Sequence, residues 1–426
     1  MQGTKKYCIF FHIQVISRMK LLHTADWHLG KRLDHFSRLE EQKAVMDEIC
    51  EIADREEVDA VLIAGDLFDH INPSIEAIEL FYHTLKKLAN EGKRPVIGIA
   101  GNHDSPDRVE APDPLARECG IILTGYPNSN VHPFRLESGL SVTKSEPGFL
   151  ELQLPQNKGL LRLLLTPYAN EIRLKRFLGH DDPEENMRTT LQETWADLAE
   201  KHCDDNGVNI LMTHLFVVNK PGDTIPEPED EKSILTVGGA QEIYAGNFPE
   251  KIQYVALGHL HRPHFVTQKP YPIAYSGSPL AYSMSEAGQE KSVNILEVEP
   301  GKSVSVRSVN LSKGKKLMRK KFEQIDEAVS WLENHPEALV ELTIVSDHFL
   351  TSEDRKKLYN AHDGIVTIIP EIKNKITEEY DKLDIDLQKD IKDLFVDYFQ
   401  YRHNQVPNDR IMNLLQEVLA EDDERN

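Results

Sequence analysis

Hydrophobic and polar positions fall into three regimes along the chain. From residue 20 to 125, short apolar runs alternate with longer stretches of helical period. "LLHTAD", "VDAVLIAGDLFD" and "PVIGIAGNHD" are apolar runs that end in turn residues, the pattern of buried strands. Between them, "HFSRLEEQKAVMDEICEIADREE" places Val45, Ile49 and Ile52 at spacings of four and three. "SIEAIELFYHTLKKLANEG" reads as a second helix, with Gly92 as its C-cap. Strands alternating with helices predict an α/β layer architecture.

From about 130 to 310 strands dominate: "GLLRLLLTPY", "VNILMTHLF", "KIQYVALGHLH", "KSVNILEVEP" and "SVSVRSVN". One helix, "MRTTLQETWADLAEKH", interrupts them, and "NKPGDTIPEPEDEKS" reads as an exposed loop. After 310 the basic run "KGKKLMRKK" precedes a β-α-β-α-β alternation: "KKFEQI", "DEAVSWLENH", "ALVELTIVS", "SEDRKKLYNA", "GIVTIIPE". That is enough for a small separate α+β domain. Following the polar stretch "NKITEEYDKLDID", Ile391, Leu394, Phe395, Tyr398 and Phe399 fall at helical spacing, and Ile411, Leu414, Leu415, Val418 and Leu419 repeat it beyond Pro407. Two such amphipathic stripes can close on each other or lie on a partner helix. Their aromatic residues suit an interface.

The boundaries this predicts are an extension over 1–18, a main domain over 19–310, a small domain over 311–372 and a helical pair over 373–426. The extension carries "YCIFFHIQVI" after Lys5-Lys6 without a small-residue cleavage site. A core strand begins at Lys20, just after Met19, so residues 1–18 read as a spurious or disordered extension.

Composition narrows the choices. A chain of 426 residues is long enough for two or three domains. No apolar run approaches the 18 or so residues of a membrane span. Cys8, Cys50, Cys119 and Cys203 are scattered without CxxC spacing, which argues against a disulfide framework or a thiolate zinc site and fits a reducing cytoplasm. The net charge of −21 argues against a global basic face for nucleic acid. Locally, Lys313, Lys315, Lys316, Arg319, Lys320 and Lys321 are candidates for phosphate contact, though such runs are commonly solvated strand edges.

Five segments that follow apolar runs carry the candidate chemistry. "ADWH" supplies Asp26 and His28, "GDLFD" Asp66 and Asp69, "GNHD" Asn102, His103 and Asp104, "MTHLF" His214, and "LGHLH" His259 and His261. Asp26/His28, "GDLFD" and His214 are each ordinary loop features alone. "GNHD" and "GHLH" are sharper, since a turn glycine permits close backbone approach to a ligand. Loops that leave one edge of a layered α/β sheet meet in space, so the set points to a metal site. Two divalent ions about 3.5–4 Å apart can clamp a phosphate for in-line attack. Mixed oxygen and imidazole donors suit manganese, iron or zinc better than magnesium or calcium.

D-x-H, GD-x-x-D, GNH-[DE], a lone His and GH-x-H, in this order, resemble the calcineurin-type metallophosphoesterases. That resemblance implies a four-layer β-sandwich flanked by helices, with a dinuclear metal centre. It implies one ion on Asp26, His28, Asp66 and His261 and a second on Asp66, Asn102, His214 and His259, with Asp66 bridging. His103 is then the acid that stabilises or protonates the leaving oxygen, a task suited to imidazole. Asp104 either orients His103 or caps the turn at Ser105-Pro106. Asp69 lies behind the ligands or on the substrate side.

A closer resemblance is to the SbcD family, nuclease subunits that are counterparts of Mre-type repair nucleases. It rests on "HTADWHLGK", "GDLFDHINPS", "GNHDSPDR", "LGHLHRPH" and "YSGSPLAYSMSE", and covers most of the chain from Met19. It implies a manganese-dependent DNA nuclease of repair, recombination and replication: an exonuclease in the 3′→5′ direction on duplex ends and an endonuclease on single strands or hairpins. The small domain becomes a cap that helps seat DNA without sequence specificity. The C-terminal helices, through Ile391, Leu394, Phe395, Tyr398, Ile411 and Leu415, become the docking segment for the coiled coil of an SbcC-type ATPase. A homodimer within a heterotetramer is implied. The chain has no GxxxxGK[ST] loop, so ATP would come from that partner. Two alternatives remain. A phosphatase for small phosphoesters does not need the residues after 310. A non-catalytic scaffold is argued against by the complete ligand set.

Overall fold

A computed structural model describes residues 18–174, 183–223, 242–347, 350–372 and 390–403, together with Pro407, Ile411, Met412 and Leu415. The N-terminal segment 1–17, most of the acidic loop, the polar stretch 374–386, and Leu414, Val418 and Leu419 lie outside the described residues.

The first sheet is built on β1 (Met19–Thr24), β2 (Ala60–Ala64), β3 (Val96–Ile99) and β4 (Ile121–Thr124), all parallel. Strand alternation sends Leu21, Leu62, Ile97 and Ile99 to one face and Leu22, Val61, Ile63 and Val96 to the other. The second face packs on α1 (Leu39–Arg55) and α2 (Ile75–Ala89), which contribute Val45, Ile49, Phe81 and Leu85. Each large apolar side chain so buried contributes about 1.5–3 kcal/mol. Ser74 caps α2 by accepting from Ala77 N–H at 3.3 Å. The helix stops earlier than the glycine suggested. Asn90 is the C-cap, at φ +44°, and Glu91 and Gly92 follow at +57° and +73°. Asn tolerates the left-handed region, so the turn begins two residues before Gly92.

The second sheet contains the hairpin β5 (Ser141–Glu146) and β6 (Phe149–Gln153), then β7 (Leu160–Thr166), β8 (Gly207–His214), β9 (Tyr254–Gly258), β10 (His264–Thr267) and β11 (Ile273–Tyr275). Strands β7, β8, β9 and β11 are parallel. One face meets the first sheet through Leu161, Leu163, Ile210, Met212 and Tyr254. The other is covered by α3 (Pro183–His202), through Met187, Leu191, Trp195 and Ala199. β12 (Ser292–Val298) and β13 (Ser305–Asn310) return antiparallel to the first sheet beside β1. The result is the expected helix–sheet–sheet–helix sandwich.

A smaller sheet follows: β14 (Leu317–Phe322), β15 (Leu339–Ser346) and β16 (Ile365–Ile372), with α4 (Ile325–Glu333) and α5 (Ser352–Ala361). Val340, Leu342, Ile344, Ala328, Leu332 and Leu358 form its own core. Its first strand lies earlier than "KKFEQI". Leu317 pairs with Leu339 and is buried against Leu33 and Met284 of the sandwich, which draws Arg319, Lys320 and Lys321 into the strand. The chain divides into compact units after Glu371. In the second unit, α6 (Ile391–His403) leaves Ile391 and Tyr398 more than half exposed, with the Phe395 and Phe399 rings 5.8 Å apart. No helix among the described residues is long and apolar enough to cross a membrane.

Candidate metal centre

Parallel strands of both sheets end at one edge, and three of the endings turn sharply. Asp26 and His28 leave β1 at φ +54° and +43°, Asp66 leaves β2 at +49°, and His259 leaves β9 at +109°. Non-glycine residues in such sparsely populated backbone regions are strained by about 1–3 kcal/mol each, towards the low end for Asp and His in the left-handed well. Hydrogen bonds hold the strain in place. Asp26 N–H donates to Gly65 O and His28 N–H to Asp66 O, both at 2.9 Å. His259 N–H donates to the Asp26 carboxylate at 2.9 Å. Glycine is required where chain meets chain: a Cβ on Gly101 would lie 2.1 Å from Asp66 Oδ1, and one on Gly258 1.8 Å from Ala64 O.

These turns bring all seven expected ligands together. The donor atoms of Asp26, His28 and His261 lie within 4.8 Å of one another, as do those of Asp26, Asp66 and His214. Asp66 Oδ1 accepts from His103 N–H at 3.0 Å, which leaves Oδ2 facing His28 Nε2 at 3.5 Å and His214 Nε2 at 3.3 Å. His214 Nδ1–H donates to Ala64 O at 2.8 Å, so its Nε2 points into the site. That atom stands 3.0 Å from Asn102 Oδ1, and His259 Nδ1 stands 3.1 Å from the same oxygen. His28 and His261 face each other nitrogen to nitrogen at 2.9 Å. Lone pairs opposed this closely need a proton or a cation between them.

Electrostatics favour the cation. Asp26 is fully buried with Oδ2 lacking a hydrogen bond to any of the described residues, and burial pushes its pKa up to about 7, against the pull of His214 and His261. Burial pushes His28 well down and His259 down to about 3, so both are neutral imidazoles, the form that binds metal. Burial opposes ionisation of Asp66, but His214 and His28 outweigh it and hold it well below the usual range. Burial would lower His214 too, yet the Asp66 and Asp26 carboxylates hold it at about 9. The donor set fits divalent cations.

Five neighbours of the expected ligands complete the site: His103, Asp69 and Asp104, of which Asp104 stands elsewhere than the sequence suggested, and Glu286 and Lys291. His103 Nδ1 donates to the main-chain oxygen of Asp69 at 2.8 Å. The Asp69 side chain meets Lys31 at 3.4 Å and His70 at 3.0 Å, and is 3.9 Å from His28. Asp104 is placed neither to orient His103 nor to cap the next turn. Its carboxylate accepts from the N–H groups of Leu67 (3.0 Å), Phe68 (3.0 Å) and Gly101 (2.8 Å), binding the "GDLFD" and "GNHD" loops together. The sequence reading missed Glu286 and Lys291. The Glu286 carboxylate lies 3.4 Å from His261 Nδ1 and is ion-paired to buried Lys291. Glu286 ends the "YSGSPLAYSMSE" segment, but nothing local marks it as buried.

The basic run is partly neutralised within the small domain. Arg319 pairs with Glu341 at 2.8 Å, Lys321 with Glu371 at 2.7 Å, and Lys320 lies over the Trp331 ring at 5.5 Å. Lys313, Lys315 and Lys316 are exposed.

Residues 19–263 match the calcineurin-like phosphoesterase family. The SbcD subunit of the SbcCD nuclease from Bacillus subtilis (strain 168) is 35% identical over 411 residues, 94% of this chain and 98% of its own length. Its namesake from Rhodobacter capsulatus is 32% identical over 290 residues, 66% of this chain and 67% of its own. Among solved structures, a dimetal phosphatase from Danio rerio is similar at a TM-score of 0.39 and 11% identity, over 70% of this chain and 99% of that one, too distant to carry any argument. The family match contains every loop that carries an expected ligand, and the Bacillus match is too long to leave out the small domain. The chain therefore belongs to the calcineurin-like phosphoesterase family and, within it, to the SbcD nuclease subunits.

Proposed function

We propose that this chain is the metal-dependent nuclease subunit of an SbcC–SbcD-type complex and hydrolyses DNA phosphodiesters at the centre formed by Asp26, His28, Asp66, Asn102, His214, His259 and His261. The observation that carries a nuclease over a small-ester phosphatase is the 35% identity, across 94% of the chain, to a protein named as a nuclease subunit.

Asp26, His28, Asp66 and His261 would hold one divalent ion, and Asp66, Asn102, His214 and His259 the other. The position of Asp66 Oδ2, facing both His28 and His214, supports its bridging role. When bound, the ions supply positive charge against the phosphate and make water a competent nucleophile near neutral pH. We assign them as manganese, as the resemblance to SbcD nuclease subunits implies; the mixed oxygen and imidazole donors suit it, as they do iron and zinc, better than magnesium or calcium.

The protein's own groups do the rest. Ala64 O fixes the tautomer of His214. Asp69 O fixes that of His103, whose Nε2 is then the atom that carries a proton to the leaving oxygen. General acid catalysis of this kind contributes about 10²–10⁴-fold. The reading extends to exonuclease action in the 3′→5′ direction, hairpin endonuclease action, a cytoplasmic setting and a homodimer bound to two ATPase subunits. The C-terminal helices form the docking segment, and the small domain seats DNA.

The test is cleavage of an end-labelled duplex and hairpin with Mn²⁺, beside a chromogenic phosphomonoester, for wild type and His103→Ala. DNA degradation that His103→Ala abolishes without loss of metal supports the reading. Hydrolysis of the monoester alone, with the ATPase and ATP present, overturns it.

A further inference from the structure

The "GNHD" loop carries Asn102 and His103, and the carbonyl groups of Gly101, Asn102 and Asp104 make contacts of their own. They converge on one side chain that no motif marks. Arg173 donates to Gly101 O at 2.7 Å, Asp104 O at 2.8 Å and Asn102 O at 3.3 Å. Its guanidinium lies over the Tyr168 ring, 5.0 Å from the centroid. Arg173 is itself held: its N–H donates to Asn170 Oδ1 at 2.8 Å, and Tyr168 N–H donates to Ala100 O at 2.9 Å.

Topology makes this contact more than local. The loop follows β3 of the first sheet, whereas Arg173 follows β7 of the second. Asn102 must meet His214 and His259, which also come from the second sheet. The relative placement of the loops from the two sheets is thus fixed through the main chain of the "GNHD" loop as well as by side chains within the site. A planar fork of donors suits this task, and an ammonium does not reproduce it.

We propose that Arg173 is a positioning residue that sets Asn102 for the second ion and His103 for the leaving group, tying the site-bearing edges of the two sheets. This rests on the two-ion reading above but not on the substrate being DNA. The guanidinium acts through the carbonyl groups of the loop.

The test uses the full chain, Mn²⁺ titration calorimetry, and hydrogen exchange of the metal-free protein. In Arg173→Gln, one of the two Mn²⁺ binding steps weakens 10–100-fold, the range for groups that orient metal ligands, and the other is unchanged. Amide exchange speeds up over residues 101–104. In the Asn102→Ala background, Arg173→Gln adds less than about twofold to the loss of Mn²⁺ affinity, because both act on one ligand. Should Arg173→Gln not fold, Arg173→Lys decides, with the same single step weakened. Wild-type affinity at both steps in the folded variant, equal weakening of both, or losses that multiply with Asn102→Ala would each overturn the proposal. DNA cleavage is not among these readouts, so a failure of the nuclease assignment is separable.

Discussion

The carboxylate of Glu286 and the ammonium of Lys291 form a buried ion pair beneath His261, and Lys291 also donates to His261 O at 3.0 Å. Glu286 is 1% exposed and Lys291 8%. Removing one partner leaves a buried charge alone, which costs about 3–5 kcal/mol. Glu286→Gln is therefore expected to lower stability by about that amount in urea denaturation. It should also weaken metal binding, because His261 loses the carboxylate that orients its ring. Glu286→Gln with Lys291→Met restores stability and not metal affinity. Recovery of both would mean that the pair only fills space.

The same pair predicts an acid limb. Burial raises the pKa of Glu286, but Lys291 and His261 outweigh it and hold the folded value at about 2, against 4.5 unfolded. A depressed carboxyl stabilises the fold fully above the unfolded value and loses that contribution as pH falls towards the folded one. Between pH 4.5 and 2 the wild type should lose stability faster than the Glu286→Gln/Lys291→Met variant in parallel denaturation curves. Parallel profiles would count against it.

Asp104 makes a graded prediction. One oxygen serves Leu67 and Gly101 and the other serves Phe68. Asp104→Asn keeps an acceptor for the first two and should cost about 1–3 kcal/mol, whereas Asp104→Ala strands all three donors and should cost at least twice as much. Both changes loosen the joint between the Asp66 and Asn102 loops, so activity should fall in the same order. Equal stability of the two variants would show that the amide groups find other acceptors.

Metal loading should release protons. With Asp26 at about 7 and His214 at about 9, both hold protons near pH 6 that a bound ion displaces. Apparent Mn²⁺ affinity should rise from about pH 6 to 9, and calorimetry in buffers of different ionisation enthalpy should count the released protons. Affinity independent of pH would contradict the burial-driven shift at Asp26. Chelation returns the facing nitrogens of His28 and His261, 2.9 Å apart, to their opposed state and should lower thermal stability.

Deletion of residues 373–426 should abolish capture by the ATPase partner while leaving Mn²⁺ binding intact, since every proposed ligand lies between Asp26 and His261. Full capture of the truncated chain would remove the docking assignment from α6.

The candidate segments were legible because each supplies an Asp, Asn or His after an apolar run, so that strand period and turn chemistry pointed to the same places, and the resemblance picked the proposed ligands from among them. Glu286, Lys291 and Arg173 were not legible. They sit in irregular or polar stretches, and their burial is decided by what the other sheet and loops bring to them. The first strand of the small domain was misplaced for a related reason. Leu317 stands beside lysines, and one apolar position carries no period until Leu33 and Met284 cover it. Gly92 misled about α2 because Asn90 takes the left-handed turn first.

The pairing of Arg319 with Glu341 and of Lys321 with Glu371 has a consequence for how tightly salt controls DNA binding. A cation that already faces a carboxylate exchanges one anionic neighbour for another when a phosphate arrives. It frees fewer condensed counterions than an unpaired lysine, and the slope of log affinity against log salt scales with the number of phosphates neutralised. With a net charge of −21, the isolated chain should show a shallow slope, and the steep part of any salt dependence should belong to the assembled complex.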